Sequence, residues 1–155
     1  RVHMKLNGKS AGKENPEILW TILMDADSLA RIIPGMWRRE KISDNNCRSL
    51  IDIKLGPVNS SFYGDLQLEK ITEQEGFTLK TQQNSKIGNA NAVINITLLP
   101  VDNNQTEVSF IGDVKLSGML AGIGQRLIGG VSNTLTKQFF LNLEKELEKE
   151  TAINK

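Results

Sequence analysis

Two hydrophobic periodicities divide this chain. From Met36 to Leu116 apolar residues recur at every second position: Ile51, Ile53 and Leu55 share one face, and Arg48, Asp52 and Lys54 the other. Phe62, Leu66 and Leu68 alternate with Tyr63, Asp65, Gln67 and Glu69. Ala92, Ile94, Ile96 and Leu98 form one parity, as do Val108, Phe110, Val114 and Leu116. This pattern predicts about six strands. Turn signals separate them at Asp44-Asn45-Asn46, Gly56-Pro57, Glu75-Gly76, Gly88-Asn89 and Asp102-Asn103-Asn104, and turns this short join antiparallel neighbours.

On either side of that meander the pattern differs. Met4 to Ala11 alternates like a strand, and Asn15-Pro16-Glu17 then opens a helix carrying Ile18, Leu19, Ile22 and Leu23. Asp25, or Asp27 with Ser28, caps a second short helix through Ala30 and Ile32, which Pro34-Gly35 stops. From about Ser117 to Glu150 there is no proline, and Leu120, Ile123, Leu127, Val131, Leu135, Phe139 and Leu143 recur at steps of three and four. That spacing predicts one long helix of about 45 Å. Its end, Glu144 to Glu150, alternates Glu and Lys around Leu147 as a solvated helix surface does.

The resulting plan is α+β: a curved antiparallel sheet of about seven strands around a long C-terminal helix, with two short helices after the first strand. Residues 4–150 are expected to form a single domain, with Met4 as the native start and Arg1-Val2-His3 as an added leader. A bent sheet gripping one helix leaves a cavity between them, and large apolar cavities bind ligands. The competing expectation is a tightly packed core with no cavity.

Composition narrows the function. At 155 residues, 24% charged and 39% hydrophobic, the chain has the make-up of an ordinary globular domain. Nineteen basic against eighteen acidic residues, without a block of one sign, give no phosphate-neutralising stripe, so nucleic acid is not an expected partner. The longest apolar runs fall well short of the roughly twenty residues that cross a bilayer. Cys47 is the only cysteine, which excludes an internal disulfide, and it reads as a small, half-buried strand residue. The sequons at Asn59, Asn95 and Asn104 would matter only in a secreted protein.

Candidate chemistry is sparse. His3 lies in the expected leader, and Asp52, Asp65, Glu69 and Asp113 sit mostly on the parity opposite the apolar face. No catalytic or metal site is expected, because Asp44 and Asp102 lack calcium-loop spacing. Gly122-Ile123-Gly124 has no third glycine at position 127 and no parallel strand-helix unit around it, which sets aside a dinucleotide loop. Gly118, Gly122, Gly124, Gly129 and Gly130 each cost a helix about 0.5–1 kcal/mol relative to alanine. Gly124 reads as leaving room for a ligand. Gly118, Gly122 and Gly129 read as a face for a partner or another copy, or as first turns that fray and gate the cavity; the competing expectation for these glycines is close packing of strand against helix. Met36-Trp37-Arg38-Arg39 sets an aromatic beside two cations, as surfaces resting on a membrane or an acidic partner do.

Several short stretches, in order, resemble the carbon monoxide dehydrogenase G-subunit family of the START-like, helix-grip (SRPBCC) superfamily. They are Pro16 with Trp20, Leu23, Asp25 and Leu29 leading into Ile33-Pro34-Gly35; Leu55-Gly56-Pro57-Val58; and Gly64 within Phe62 to Glu69. The match continues at Gly124-Gln125-Arg126-Leu127, Gln138-Phe139-Phe140 and Asn142-Leu143. The resemblance covers nearly the whole chain. It implies a helix-grip fold and a cytoplasmic accessory protein, peripheral to the membrane, that holds a lipid-like or quinone ligand. It also implies partnership with a molybdenum hydroxylase of the carbon monoxide dehydrogenase class and recruitment of that enzyme to the membrane. Longer relatives carry a C-terminal extension suited to membrane attachment, whereas this sequence ends at Lys155, so direct anchoring is not carried over.

The chain is therefore expected to be a carrier and not an enzyme, with no cofactor. Its cavity lining is expected to be Ile51, Ile53, Phe62, Leu66, Ala92, Ile94, Phe110 and Val114 from strands, and Leu120, Ile123, Gly124, Leu127 and Val131 from the helix. Trp37, Arg38 and Arg39 are the expected partner or membrane contact. Two alternatives stand: a ligand-free docking subunit, and a cyclase or hydratase using the same cavity, for which Tyr63, Thr81 and Gln83 are the inward polar candidates.

Overall fold

A computed structural model describes residues 2–102 and 104–153. Arg1 of the expected leader, Asn103 of the last turn and Lys155 lie outside the described residues. β1 (Val2–Gly12) leads through α1 (Pro16–Met24) and α2 (Ala26–Ile32) into β2 (Met36–Ser43), β3 (Asn46–Leu55) and β4 (Val58–Thr72). β5 (Gly76–Ser85), β6 (Gly88–Val101), β7 (Gln105–Leu116), a 3₁₀ turn (Gly118–Gly122) and α3 (Gln125–Ile153) follow. The seven strands form one sheet in the order β1-β7-β6-β5-β4-β3-β2, every neighbouring pair antiparallel. Val2 and His3 belong to β1: Val2 pairs with Leu116, and His3 Nδ1 lies 2.7 Å from Asp113 Oδ2.

Local chemistry sets the helix starts. The Asn15 side chain accepts the Glu17 N–H at 2.8 Å, with Pro16 in the first turn, where its missing N–H costs nothing. Asp25 caps α2 by accepting the Ser28 N–H at 2.9 Å. That hydrogen bond holds the Asp25 carboxyl below the ordinary aspartate range.

The long helix expected from Ser117 begins later. Ser117 is extended, at φ −137° and ψ 170°, and its N–H donates to Asn89 O at 3.0 Å. The Leu120 N–H donates to Ile87 O at 3.0 Å, so this segment is tied to the β5–β6 turn and not to a helix of its own. Gly118 has φ +67°, a conformation that side-chain-bearing residues rarely adopt, and a Cβ there would come within 2.9 Å of Gly88 Cα. α3 then starts afresh at Gln125, and the carbonyl of Gly124 just ahead of it accepts the Ile128 N–H at 3.0 Å.

The core divides along α3. One half joins Leu19, Trp20 and Leu23 of α1 to Phe77, Ile96 and Val108 of the sheet and to Leu143 and Leu147 of α3. The other joins Met4, Ile51, Phe62 and Val114 to Leu120, Ile128 and Val131. β1 meets α3 closely because Gly8 has no side chain: a Cβ there would lie 2.7 Å from Thr136 Cγ2 and 3.0 Å from Phe110 Cζ.

Polar contacts fasten only some of α3. In its C-terminal half the buried Glu146 accepts from Arg31 Nε at 2.8 Å and from Lys149 Nζ at 3.0 Å, and Asn142 Nδ2 donates to Ile32 O at 3.1 Å. Burial alone would raise the Glu146 carboxyl, but the hydrogen bonds from Lys149 and Arg31 outweigh it and hold the group below its ordinary value. Further back, Ser132 Oγ donates to Lys5 O at 2.6 Å.

Gly8→Ala should lower stability by about 1–3 kcal/mol by forcing α3 off β1. Gly129→Ala, where a Cβ meets nothing within 4 Å, should raise it by about 0.5–1 kcal/mol. Chemical denaturation of both variants checks the pair. Because the folded Glu146 value lies below the unfolded one, its stabilisation is present above the unfolded value and is lost as pH falls through the folded one. Arg31→Ala should therefore cost about 1 kcal/mol at neutral pH, discounted for the half-exposed arginine. In melts at decreasing pH, its deficit relative to wild type should shrink once pH passes below the ordinary glutamate value of 4.5.

Candidate ligand-binding cavity

The second half of the core is hollow. A cavity of about 220 Å³ lies between the inward face of the sheet and α3. Ile51 and Ile53 of β3, Phe62 of β4, Ala92 and Ile94 of β6, and Phe110 and Val114 of β7 line it. Leu120 and Val131 cover it, together with Ile128, Leu135 and Phe139 of α3, and Ile33-Pro34 flank it. Phe110 stacks on Phe140 with ring centroids 5.5 Å apart and meets Phe139 edge-on at 5.2 Å; Phe110, Phe139, Leu79 and Ile96 line the void where it borders the first cluster.

Four residues expected in the lining are elsewhere. Leu66 shares the parity of Phe62, but four residues of strand carry it about 13 Å along, into the packed cluster with Phe77 and Leu79. Ile123 and Gly124 form the link ahead of α3; Ile123 packs against the cavity-side cluster without lining the void, and Gly124 is exposed. Leu127 is 55% exposed. It lies about 100° round the helix from Ile128, which takes the inward position. The spacing Ile128, Val131, Leu135, Phe139 is the sequence signal for this face, and extending the helix back to Ser117 hides it. A Cβ at Gly122, Gly124, Gly129 or Gly130 would meet nothing within 4 Å, so these glycines neither make room over the void nor serve close packing.

The polar side chains lining the cavity are Thr81, Gln83 and Thr136. Gln83 is 6% exposed and donates from Nε2 to Thr81 Oγ1 at 2.7 Å and to Ser49 Oγ at 3.1 Å. Tyr63, the other inward polar candidate, is 61% exposed, because β4 buries Phe62 and Gly64 on the opposite face. Asp52 and Asp65 are exposed, and Glu69 and Asp113 partly so, on that outer face. Cys47 is half-buried, and burial pushes its thiol up, away from the nucleophilic thiolate. Among the described residues there is no group of three or more His, Cys, Asp or Glu side chains placed to hold a metal ion, and no helix long and apolar enough to cross a membrane.

Trp37 and Arg38 are exposed on the edge strand β2, where the register shifts between Met36 and Arg38. Arg39 is not available in the same way. Its guanidinium lies 2.5 Å from Asp27 Oδ1 and fastens β2 to α2. A second hollow between α2 and the β2–β3 hairpin is lined by Met24, Leu29, Leu66 and Leu68 together with the polar Arg39, Lys41 and Asn46.

A bent antiparallel sheet wrapped around one long helix over an apolar void defines a START-like, helix-grip domain. The model of the CoxG family, the G-subunit family of carbon monoxide dehydrogenase, matches residues 8–148, and the chain belongs to that family. No curated protein matches it. Among solved structures it is similar to a conserved protein from Geobacillus kaustophilus, at 27% identity and TM-score 0.87 over 94% of this chain and 95% of that one. It is also similar to a START superfamily protein from Mycobacterium smegmatis, at 11% identity and TM-score 0.70 over 96% and 99%. Ara h 8.0201 aligns at 14% identity and TM-score 0.66 over 95% and 99%. The last two likenesses concern the fold.

Proposed function

We propose that this protein binds an apolar small molecule in the cavity under α3 and acts as an accessory carrier, without bond chemistry of its own. The observation that carries the reading is an almost wholly apolar void of about 220 Å³ between the sheet and α3. At about 24 cal/mol per Å³, keeping it open forgoes on the order of 5 kcal/mol, comparable with the whole stability of many domains. A guest that fills it returns contacts the core lacks. A dry apolar cavity of about 150 Å³ holds one benzene, so this one takes a ring or the first part of a chain. A longer lipid-like or quinone-like molecule needs α3 to shift or its tail to leave through the mouth.

The link between Leu120 and Ile128 suits that movement, since its glycines pack against nothing while the far half of the helix is fastened to α2. Membership of the CoxG family supports service to a carbon monoxide dehydrogenase-type molybdenum hydroxylase at the membrane. Trp37 and Arg38 are the surface we assign to that contact.

Ala92→Leu should fill the void: the melting temperature holds or rises, while the affinity for a naphthalene-based solvatochromic probe falls at least about tenfold. Unchanged probe binding would place the site elsewhere. Native mass spectrometry of the protein from its own host should show a copurified apolar molecule, and finding none, with no uptake of added lipid or quinone, would sink the carrier reading.

A further inference from the structure

Resting on the carrier reading, we propose that Gln83 is the specificity-determining residue of the cavity and that its Oε1 selects an apolar ligand carrying a hydroxyl or N–H donor. The register places Ser49 opposite Gly64 and Gly64 opposite Gln83, so three inward-facing positions of β3, β4 and β5 form one row. Gly64 has no side chain, and a Cβ there would run into the β5 backbone at Gln82 and Gln83. Across that bare position Gln83 Nε2 reaches Ser49 Oγ at 3.1 Å. Thr81, two residues along β5, accepts the other amide hydrogen at 2.7 Å.

The orientation of the amide follows from proton bookkeeping. A threonine hydroxyl has one hydrogen, and Thr81 Oγ1 gives it to Asp65 O at 2.7 Å. Thr81 therefore faces Gln83 only as an acceptor, which requires the NH₂ end there. Oε1 is left buried without a hydrogen-bond partner, on a side chain that lines the apolar cavity. Buried carbonyl oxygens are rarely left unpaired. This one can only accept. A guest ending in a hydroxyl or N–H satisfies it, the reduced hydroquinone form of a quinone-like molecule included, whereas an ether, ester or ketone of the same shape offers no proton and is disfavoured.

The test uses the purified protein and two probes of nearly equal size, para-butylphenol and para-butylanisole, titrated by calorimetry. Wild type should bind the phenol about tenfold more tightly although the anisole is the more apolar. Gln83→Leu should erase or reverse that preference while keeping its affinity for the anisole, which also shows that the variant is folded. Equal affinities in wild type, as when water already satisfies Oε1, would overturn the donor assignment and leave the carrier reading intact. Failure of wild type to bind either probe would overturn both. Should Gln83→Leu not fold, Gln83→Met is the second variant: loss of the phenol preference with anisole binding kept supports the assignment to Gln83, and a preference that persists overturns it.

Discussion

A sheet and a helix of very different widths have to cover one another in this molecule, and the rest of the structure follows from how that mismatch is resolved. Strands lie about 4.8 Å apart, so a seven-stranded surface spans close to 30 Å, whereas a helix with its side chains is only about 10–12 Å thick. The sheet bends to embrace α3, and α1 and α2 fill the remainder at one end. At the other end no third element is available. Side chains from every strand but β2 line the gap beneath α3 and do not close it.

This difference between the ends also divides the labour within α3. Its C-terminal half is fixed to α2 by one ion pair and an amide hydrogen bond, and its N-terminal half by apolar contact and by Ser132. A helix held firmly at one end and loosely at the other pivots more easily than it slides. The half with fewer polar fastenings is the one above the void. The 3₁₀ turn before it is bonded to the β5–β6 hairpin, so the residues in between are the least tied part of the segment.

Strict alternation makes the meander readable, because a residue facing a buried void must be as apolar as one facing a packed core. For the same reason it does not tell the hollow half from the solid half, and Leu66 reads as lining together with Phe62. Asn15, Pro16 and Asp25 announce the short helices through chemistry local to each residue. The start of α3 is illegible because its reason is distant in sequence: Ser117 and Leu120 take their partners from Asn89 and Ile87. Leu120, on the near side of that break, does cover the void as its spacing suggests, whereas Leu127, beyond it, is out of phase. Thr81 and Gln83 are visible as inward polar residues, but Ser49 becomes meaningful only once register sets it across Gly64.

The edge strand β2 has a consequence for how such a protein survives in a crowded cell. An open sheet offers unpaired backbone at its margins, and margins of that kind template fibrous stacking of one copy on another. β2 carries Arg38, Arg39, Glu40 and Lys41 in succession and is interrupted by two shifts of register. Charge and irregularity together make that margin a poor template, so one of the sheet's two open edges resists pairing with another copy.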